Sequence, residues 1–393
     1  MARAASRRIC KVLVFAALGV IPTEAQTFTV LYSFTGSPDG ASPASNLIGD
    51  GAGDLIGTTE DGGASGHGTV FRVNASGETV LYSFQGGRDG SLPEAGLIRD
   101  SVGNLFGTTL SGGNDDGTVY KLDTAGTETV LYRFSHAGGL YPAGGLTADS
   151  AGNLYGAAEY GGAHGLGTIY KLNGNGETVL HGFTGVGDGA TPTEGLIRDA
   201  EGILYGTTSG GGAFRWGSVF KLDAAGTETV LYSFTGGADG ANPYSTLIRD
   251  AAGNLYGTAM HGGIVHGSTG FGVVFKLDPA GNQTVLYSFT GGADGAHPTF
   301  SLVQDADGNL YGTTEPGGIG NGLSGPGDGV VFKVDTAGNE TVLHSFTGGA
   351  DGLQPEAALF RDSAGNLYGT TVAGGIVNGA CEYGCGVVFK IAP

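Results

Sequence analysis

Glutamate, histidine and aromatic side chains stand at irregular positions in a sequence that otherwise repeats itself, and they carry its most obvious chemistry. Carboxyl and imidazole groups can exchange protons with a substrate, and carboxylates near aromatic rings suit sugars or peptides. A structural residue should recur in every copy of a repeat, so the irregular residues are the candidates for a ligand site. They are Glu60, His67, Glu159, His164, Glu194, Arg215, Trp216, His261 and Glu315.

Further irregular residues widen this set of candidates. Trp216 offers a stacking surface and Arg215 a charged fork, two features that help to hold a ligand. The alternative for any single residue is a solvated loop position without a function. The wider set contains Asp61, Asp115, Asp116, Phe214, His266, Glu382 and Tyr383, with Glu94, Tyr244, Phe300 and Glu356 near the beginning of predicted strands.

The spacing of these residues does not identify a reaction. The sequence contains no His-x-His or His-x-x-x-His pair, no Gly-x-Ser-x-Gly turn and no phosphate-binding loop followed by a helix. His181 and His344 replace a tyrosine of the repeat, so we expect them to pack rather than to react. We therefore predict neither a catalytic residue nor a metal-ligand set.

Six loops carry Asp-Gly at the same place in the repeat. A ring of carboxylates could bind cations, and Ca²⁺ favours several oxygen ligands at once. Each loop offers only one such carboxylate, however, and Asp-Gly is common turn chemistry, which favours a structural role. We expect no cofactor, with calcium as the alternative. The aspartates are Asp39, Asp89, Asp188, Asp239, Asp294 and Asp351.

Residues 1–25 have the pattern of a secretory signal peptide. Basic residues up to Lys11 precede an apolar run from Val12 to Ile21, and Ala25 precedes Gln26. We therefore expect a mature protein that begins near Gln26 and is secreted or periplasmic, outside the cytoplasm. Its two remaining cysteines, Cys381 and Cys385, should form a disulfide there. Half of a metal site is the alternative, but no second ligand pair lies nearby.

The charge and hydropathy of the chain exclude two classes of partner. The formal net charge is -19, which disfavours nucleic acid as a ligand. After the signal segment, no apolar run approaches the eighteen or more residues of a membrane span. We expect a monomer that meets an extracellular carbohydrate or protein ligand.

Seven copies of one repeat make up the rest of the chain. A run like Val-Leu-Tyr-Ser-Phe recurs, and a second marker, Leu-Tyr-Gly-Thr-Thr or a close variant, recurs every 49 to 57 residues. With 80 glycines the chain could be taken for a disordered polymer, but the glycines are periodic. The marker glycines are Gly57, Gly107, Gly156, Gly206, Gly257, Gly312 and Gly369.

The pattern of each copy predicts four β-strands, named a to d. Compact Asp-x-x-Gly turns join strand a to strand b and strand c to strand d. This pattern predicts an all-β fold, a seven-bladed β-propeller over residues 26–393 with four antiparallel strands per blade. The first strand, 28–34, is of type d and should complete the seventh blade with 359–391, which closes the ring. A linear solenoid is the alternative, but it needs no complementary ends.

Alternate connections of an antiparallel sheet lie on opposite faces. The long b-c and d-a loops should therefore share one face, the loop face, around the mouth of the central channel. The tight turns should share the other, the hairpin face. Any ligand should bind on the loop face, where changes at Trp216 or Arg215 should weaken binding more than changes at Asn104 or Asn254 in the hairpins.

The segments GNLYGTT, GTVFKLD, AGTETVLYSF and GGADG resemble the GloVer tandem repeat of choice-of-anchor exported bacterial proteins, over residues 26–393. The blade layout is similar to that of NHL-type propellers. The resemblance implies a surface or secreted protein without a defined biochemical role. We expect a binding or structural scaffold rather than an enzyme; the alternative is a glycan-active hydrolase or lyase with its site at the channel mouth.

Overall fold

A computed structural model describes residues 26–113, 116–263, 270–318 and 327–393. The predicted signal peptide, 1–25, and the candidates Asp115 and His266 lie outside these ranges. Within the described ranges, no helix is long and apolar enough to cross a membrane.

Each repeat forms one antiparallel sheet in which the strands lie in the order a, b, c, d. Strands a are β2 (Ile48–Gly49), β6 (Ile98–Arg99), β10 (Thr147–Ala148), β14 (Ile197–Arg198), β18 (Ile248–Arg249), β22 (Val303–Gln304) and β26 (Phe360–Arg361). Strands b are β3 (Leu55–Thr59), β7 (Leu105–Thr109), β11 (Leu154–Ala158), β15 (Leu204–Thr208), β19 (Leu255–Ala259), β23 (Leu310–Thr314) and β27 (Leu367–Thr371).

Strands c and d complete each sheet and have five to seven residues. Strands c are β4 (Thr69–Asn74), β8 (Thr118–Leu122), β12 (Thr168–Asn173), β16 (Ser218–Leu222), β20 (Val273–Leu277), β24 (Val330–Val334) and β28 (Val387–Ala392). Strands d are β5 (Gly77–Ser83), β9 (Glu128–Arg133), β13 (Gly176–Gly182), β17 (Glu228–Ser233), β21 (Gln283–Ser288), β25 (Glu340–Ser345) and, from the beginning of the chain, β1 (Thr27–Ser33).

The marker glycine of strand b makes room for an aromatic ring of strand c. A Cβ atom at Gly206 would lie 2.7 Å from Cζ of Phe220, and the equivalent glycines meet an aromatic ring in the same way. Phe220 in turn contacts Phe183 edge to face, with ring centroids 5.3 Å apart. The repeated Gly and the aromatic residue opposite it are therefore one packing unit.

The blades close into a ring. Seven core clusters each join two neighbouring blades, and one of them joins the last blade to the first through Val388, Phe34 and Phe71. Strand β1 pairs with β28 from Thr27 opposite Ala392 to Ser33 opposite Val387. The predicted seven-bladed propeller and its closure by the N-terminal strand are confirmed.

The predicted disulfide between Cys381 and Cys385 is also present. Cys385 is fully buried and packs in the core cluster that contains Phe34. The amide of Asn378, in the same loop, donates a hydrogen bond of 2.9 Å to the carbonyl oxygen of Thr35. The disulfide loop therefore lies directly against the seam where the ring closes.

The loops divide between the two faces as predicted. In each blade the d-a loop bonds to the b-c loop, as in the bridge between Ala41 and Asp61, so both loop types share one face. On the hairpin face, Asp100 accepts hydrogen bonds from the backbone of Val102 and from both nitrogens of Asn104. The repeated Asp and Asn residues therefore stabilise these turns.

Two blades carry a buried hydroxyl group that the other five lack. Tyr120 and Tyr170 are fully buried, and their hydroxyl oxygens have no hydrogen-bond partner, whereas the equivalent position of blade four holds Phe220. Replacing either tyrosine by phenylalanine removes an unsatisfied polar group, so each change is expected to raise the free energy of unfolding by about 1 kcal/mol. Chemical denaturation measures this. The reverse change, Phe220→Tyr, should be destabilising, and a loss of stability in Tyr120→Phe would contradict the interpretation.

Candidate ligand site at the channel mouth

One cavity of about 230 Å³ is lined by residues from all seven blades. A single cavity that touches every blade of a ring must lie on the ring axis, so it is the channel mouth. Its lining residues precede strands a, except for Glu60, which follows a strand b. They are Ala44, Asn46, Glu60, Glu94, Ala95, Gly96, Ala143, Gly145, Thr193, Glu194, Thr246, Phe300 and Glu356.

Two places in the repeat supply the carboxyl groups around this mouth. The position after the proline that precedes strand a holds Glu94 and Glu356, and the next position holds Glu194 in its own blade. The position directly after strand b holds Glu60, with Glu159 and Glu315 in other blades. Because neighbouring blades pack side by side, these positions meet at the axis even though they lie far apart in the chain.

Glu60 and Glu94 come from adjacent blades and form a hydrogen-bonded carboxyl pair. Burial is the largest cause that raises the pKa of each group. Repulsion from Glu60, Glu159 and Glu356 raises the pKa of Glu94 further, and its proton is the one donated to Glu60. With that proton held between the two groups, the remaining carboxyl oxygens of the pair can accept hydrogen bonds from a ligand.

The other carboxyl groups also have raised pKa values. Burial raises the pKa of Glu194 to about 8, against hydrogen bonds from Thr246 and the backbone of Gly195. Burial and repulsion from Glu315 and Glu60 raise the pKa of Glu356 to about 7. The Thr299 hydroxyl lies 2.9 Å from Glu315, whose pKa is raised by burial. Four glutamates thus line one opening, with Glu159 and Glu315 near enough to repel two of them, and none of the described lining residues is Lys, Arg or His.

Aromatic and hydroxyl groups accompany these carboxylates. Phe300 lines the channel mouth. The ring of Tyr160, the residue after Glu159, meets the ring of Tyr141 edge to face at 6.1 Å, and both tyrosines are substantially exposed. Thr193 is only 7% exposed, and its buried hydroxyl has no hydrogen-bond partner. The mouth can therefore contact the apolar face of a ligand and form hydrogen bonds with both its donors and its acceptors.

Two of the predicted residues, His67 and Trp216, lie away from the mouth at equivalent places in their blades. Each packs against a glycine of the next d-a loop: a Cβ atom at Gly236 would lie 2.5 Å from Nε1 of Trp216, and one at Gly86 would lie 2.6 Å from Nε2 of His67. Trp216 also packs against the core between blades four and five. These side chains fill one packing position, which Phe271 occupies in the fifth blade.

The remaining predicted residues are dispersed over the loop face. His164 and Arg215 are exposed, and Arg215 has a left-handed backbone with φ of 69°. His261 lies 5.1 Å from His297, ring to ring, and its Nδ1 atom is 3.2 Å from the side-chain oxygen of Asn242. Burial lowers the pKa of both histidines. The structure thus brings together Glu60, Glu159, Glu194 and Glu315, but not His67, His164, Arg215, Trp216 or His261.

The carboxylates of the Asp-Gly loops are engaged in local hydrogen bonds. Asp39 accepts bonds from the backbone and hydroxyl of Thr35 and from the Tyr32 hydroxyl. Where histidine replaces that tyrosine, His344 lies 3.2 Å from Asp351. Among the described residues, no group of three or more His, Cys, Asp or Glu side chains could hold a metal ion.

The sequence analysis did not select Thr193, Thr246, Asn46 or the tyrosine pair Tyr141 and Tyr160. The first three occupy the same short stretch before strand a as Glu94 and Glu194. An alignment of the seven copies on the preceding proline would have placed all of them in one ring, because the fold is periodic. The tyrosine pair joins two loops and has no such signal in the sequence.

A closed ring of seven four-stranded blades with one irregular, carboxyl-rich loop face defines the chain as a repeat β-propeller. It belongs to the Gloeobacter/Verrucomicrobia repeat family, whose model matches residues 20–205 and 178–380. The resemblance expected from the repeated segments is confirmed by this match.

Two solved structures of the extracellular domain of BT4673 from B. thetaiotaomicron, described as a hybrid two component system and as a one component system, have a similar fold. The first is 13% identical with a TM-score of 0.56, over 92% of this chain and 39% of that one. The second is 12% identical with a TM-score of 0.57, over 93% and 40%. The chain thus spans about two fifths of their length. No curated protein sequence matches it.

Proposed function

We propose that the protein is an exported binding propeller that holds a small extracellular ligand, or one end of a larger one, at the channel mouth. The observation that carries this proposal is the convergence of glutamates from different blades on one opening of the loop face, four in its lining and two close by. The irregular residues of a repeat protein have no shared structural task that would bring them together. A site for recognition is the physical reason for such a gathering.

Three further observations support a location outside the cytoplasm. The N-terminal segment has the pattern of an export signal. The disulfide between Cys381 and Cys385 persists in oxidising compartments. The two similar structures are extracellular domains. Intact-mass analysis of the exported protein tests this part of the proposal, which requires a mature chain that begins near Gln26.

A glycan-active hydrolase or lyase is the second candidate, but the arrangement of the carboxyl groups favours binding. Hydrolysis of a glycosidic bond usually needs two carboxyl groups about 5 to 9.5 Å apart, with the substrate between them. Glu60 and Glu94 instead share a hydrogen bond. No His or Arg side chain lines the described cavity to complete an acid and base pair.

A glycan and protein array probed with the exported chain should reveal a ligand whose binding depends on the loop face. The double variant Glu94→Gln and Glu356→Gln, which keeps the size of both side chains, is expected to lose about 2 kcal/mol or more of binding free energy. Asn104→Ala is the control on the hairpin face. It should keep the ligand but lower the melting temperature, because Asn104 holds Asp100. Equal binding by all three proteins would place the ligand elsewhere.

A further inference from the structure

The channel mouth has a strong imbalance of charge. Glu60, Glu94, Glu194 and Glu356 line it, no basic side chain of the described residues lines it with them, and Glu159 and Glu315 lie close by. Repulsion among these groups is relieved in the free protein only by the uptake of protons. A ligand that brings one positive charge into the opening would relieve the same repulsion.

A second feature of the mouth independently points to a polar ligand group. The Thr193 hydroxyl is buried and has no hydrogen-bond partner, although Thr193 lines the cavity. Thr299, at the equivalent place in another blade, donates its hydroxyl to Glu315 at 2.9 Å. An unsatisfied buried hydroxyl costs free energy, so a ligand donor or acceptor next to Thr193 would be stabilising.

The geometry favours an ammonium group over a metal ion. The described residues contain no group of three His, Cys, Asp or Glu side chains suited to a metal. An ammonium group needs no such closed ligand set, because its N–H donors can bond to one or two of the carboxylates at the mouth. The face of Phe300, which also lines the mouth, can attract a cation or cover the apolar face of a sugar ring.

We infer that the ligand group held at the channel mouth is a single amino sugar that lies between Thr193 and Glu356, with its protonated amine against the carboxyl groups of the mouth. This inference rests on the proposed function and names its ligand class. The cavity of about 230 Å³ accepts one small ring rather than a chain of them. The carboxyl oxygens of Glu60 and Glu94 that lie outside their shared hydrogen bond can accept from the hydroxyl groups of a sugar, which a bare ammonium ion lacks.

Calorimetric titration of the exported chain at low salt and neutral pH tests the inference with four probes: glucosamine, N-acetylglucosamine, Nα-acetyl-lysine amide and Ca²⁺. Acetylation removes the charge but keeps the ring. We expect glucosamine to bind about tenfold or more tighter than N-acetylglucosamine, because a charge-assisted hydrogen bond is lost. Raising the salt concentration should weaken glucosamine binding.

Three variants locate the binding. Glu356→Gln and Thr193→Val, both at the mouth, are each expected to weaken glucosamine binding by roughly fivefold or more. Glu228→Gln is the matched control, because Glu228 also has a raised pKa of about 7 but lies at the beginning of a strand d. The control should bind glucosamine as the natural protein does, and a melting curve verifies that each variant is folded.

Several results would overturn the inference. Equal affinity for glucosamine and N-acetylglucosamine would show that the charge of the amine is not recognised. Absence of glucosamine binding would exclude an amino sugar as the ligand. Tighter binding of Ca²⁺ or of the lysine derivative, lost in Glu356→Gln, would assign the mouth to a metal or to a peptide. In each of these cases a mouth-dependent signal on the array would still leave the proposed binding function standing.

Discussion

Deletion of residues 26–34 is expected to prevent the protein from folding into a stable ring. The deletion removes β1, the outer strand of blade seven, and leaves the edge of β28 unpaired. It also removes Phe34, which is fully buried between blades seven and one, and Phe28, whose ring stacks on His344 at 3.7 Å. Large apolar side chains contribute about 1.5 to 3 kcal/mol each, and a typical domain is stable by only about 5 to 15 kcal/mol.

Circular dichroism, thermal melting and size exclusion measure the outcome, which should be aggregation or the absence of a cooperative transition. A circular permutant provides the control. Thr27 lies opposite Ala392 in the β1 and β28 pair, so residues 26–34 can be attached after Pro393 through the Asp-x-x-Gly turn that joins strands c and d in other blades. The permutant should recover the native melting temperature. A truncated protein with an unchanged melting temperature would contradict the need for closure.

Much of this fold was predictable because it depends on local and repeated signals. The periodic markers located each strand b, and turn residues such as Asp100 and Asn104 located the hairpins. The closure could be inferred because the first strand and the last blade are complementary. Cys381 and Cys385 are the only two cysteines that follow the predicted signal peptide.

The candidate site was predictable only in part, because it depends on how blades are placed around an axis. Glu60 and Glu94 could each be recognised as irregular, but their contact crosses a blade boundary and has no signature in the local sequence. Trp216 is of a residue type that often binds ligands, yet it packs on Gly236 as His67 packs on Gly86. A residue type indicates what a side chain can do, whereas only the packing shows whether the side chain is free to do it.

Acidification from about pH 8 to pH 5 is expected to raise the melting temperature. Four glutamates, named the belt, lie at the beginning of strands d. Burial raises the pKa of each to about 7, with a smaller contribution from repulsion by the Asp of the d-a loop. Burial also raises the pKa of Glu356 and Glu194 at the channel mouth. The belt glutamates are Glu78, Glu128, Glu228 and Glu340.

The direction of the effect follows from proton binding. A carboxyl group whose pKa is raised by folding, from its ordinary 4.5 to about 7, binds more protons in the native than in the unfolded state between these values. Its stabilising contribution is therefore complete below about pH 4.5 and is lost as the pH rises through 7. The four belt glutamates act in this direction, and so do Glu194 and Glu356 at the channel mouth.

Other groups oppose them at lower pH. Burial lowers the pKa of His181, His261 and His297, so their contribution is lost as the pH falls below the ordinary histidine value. Although burial of Asp149 acts the other way, hydrogen bonds from Asn153 and others lower its pKa to about 2, so its contribution persists until strongly acidic pH. The maximum of stability should consequently lie near pH 5.

The fifth blade shows that glutamine fits the belt position. Gln283 occupies that position and donates a hydrogen bond of 3.0 Å to the carbonyl oxygen of Asp239. Replacing the four belt glutamates by glutamine should raise the melting temperature at pH 8 and flatten its pH dependence. With solvent screening, a net difference of about 3 kcal/mol between pH 5 and pH 8 corresponds to roughly 4 °C for a ring of this size. A natural protein that melts at a higher temperature at pH 8 than at pH 5 would contradict this prediction. A glutamine variant whose melting temperature depends on pH as that of the natural protein does would show that the belt glutamates do not take up protons on folding.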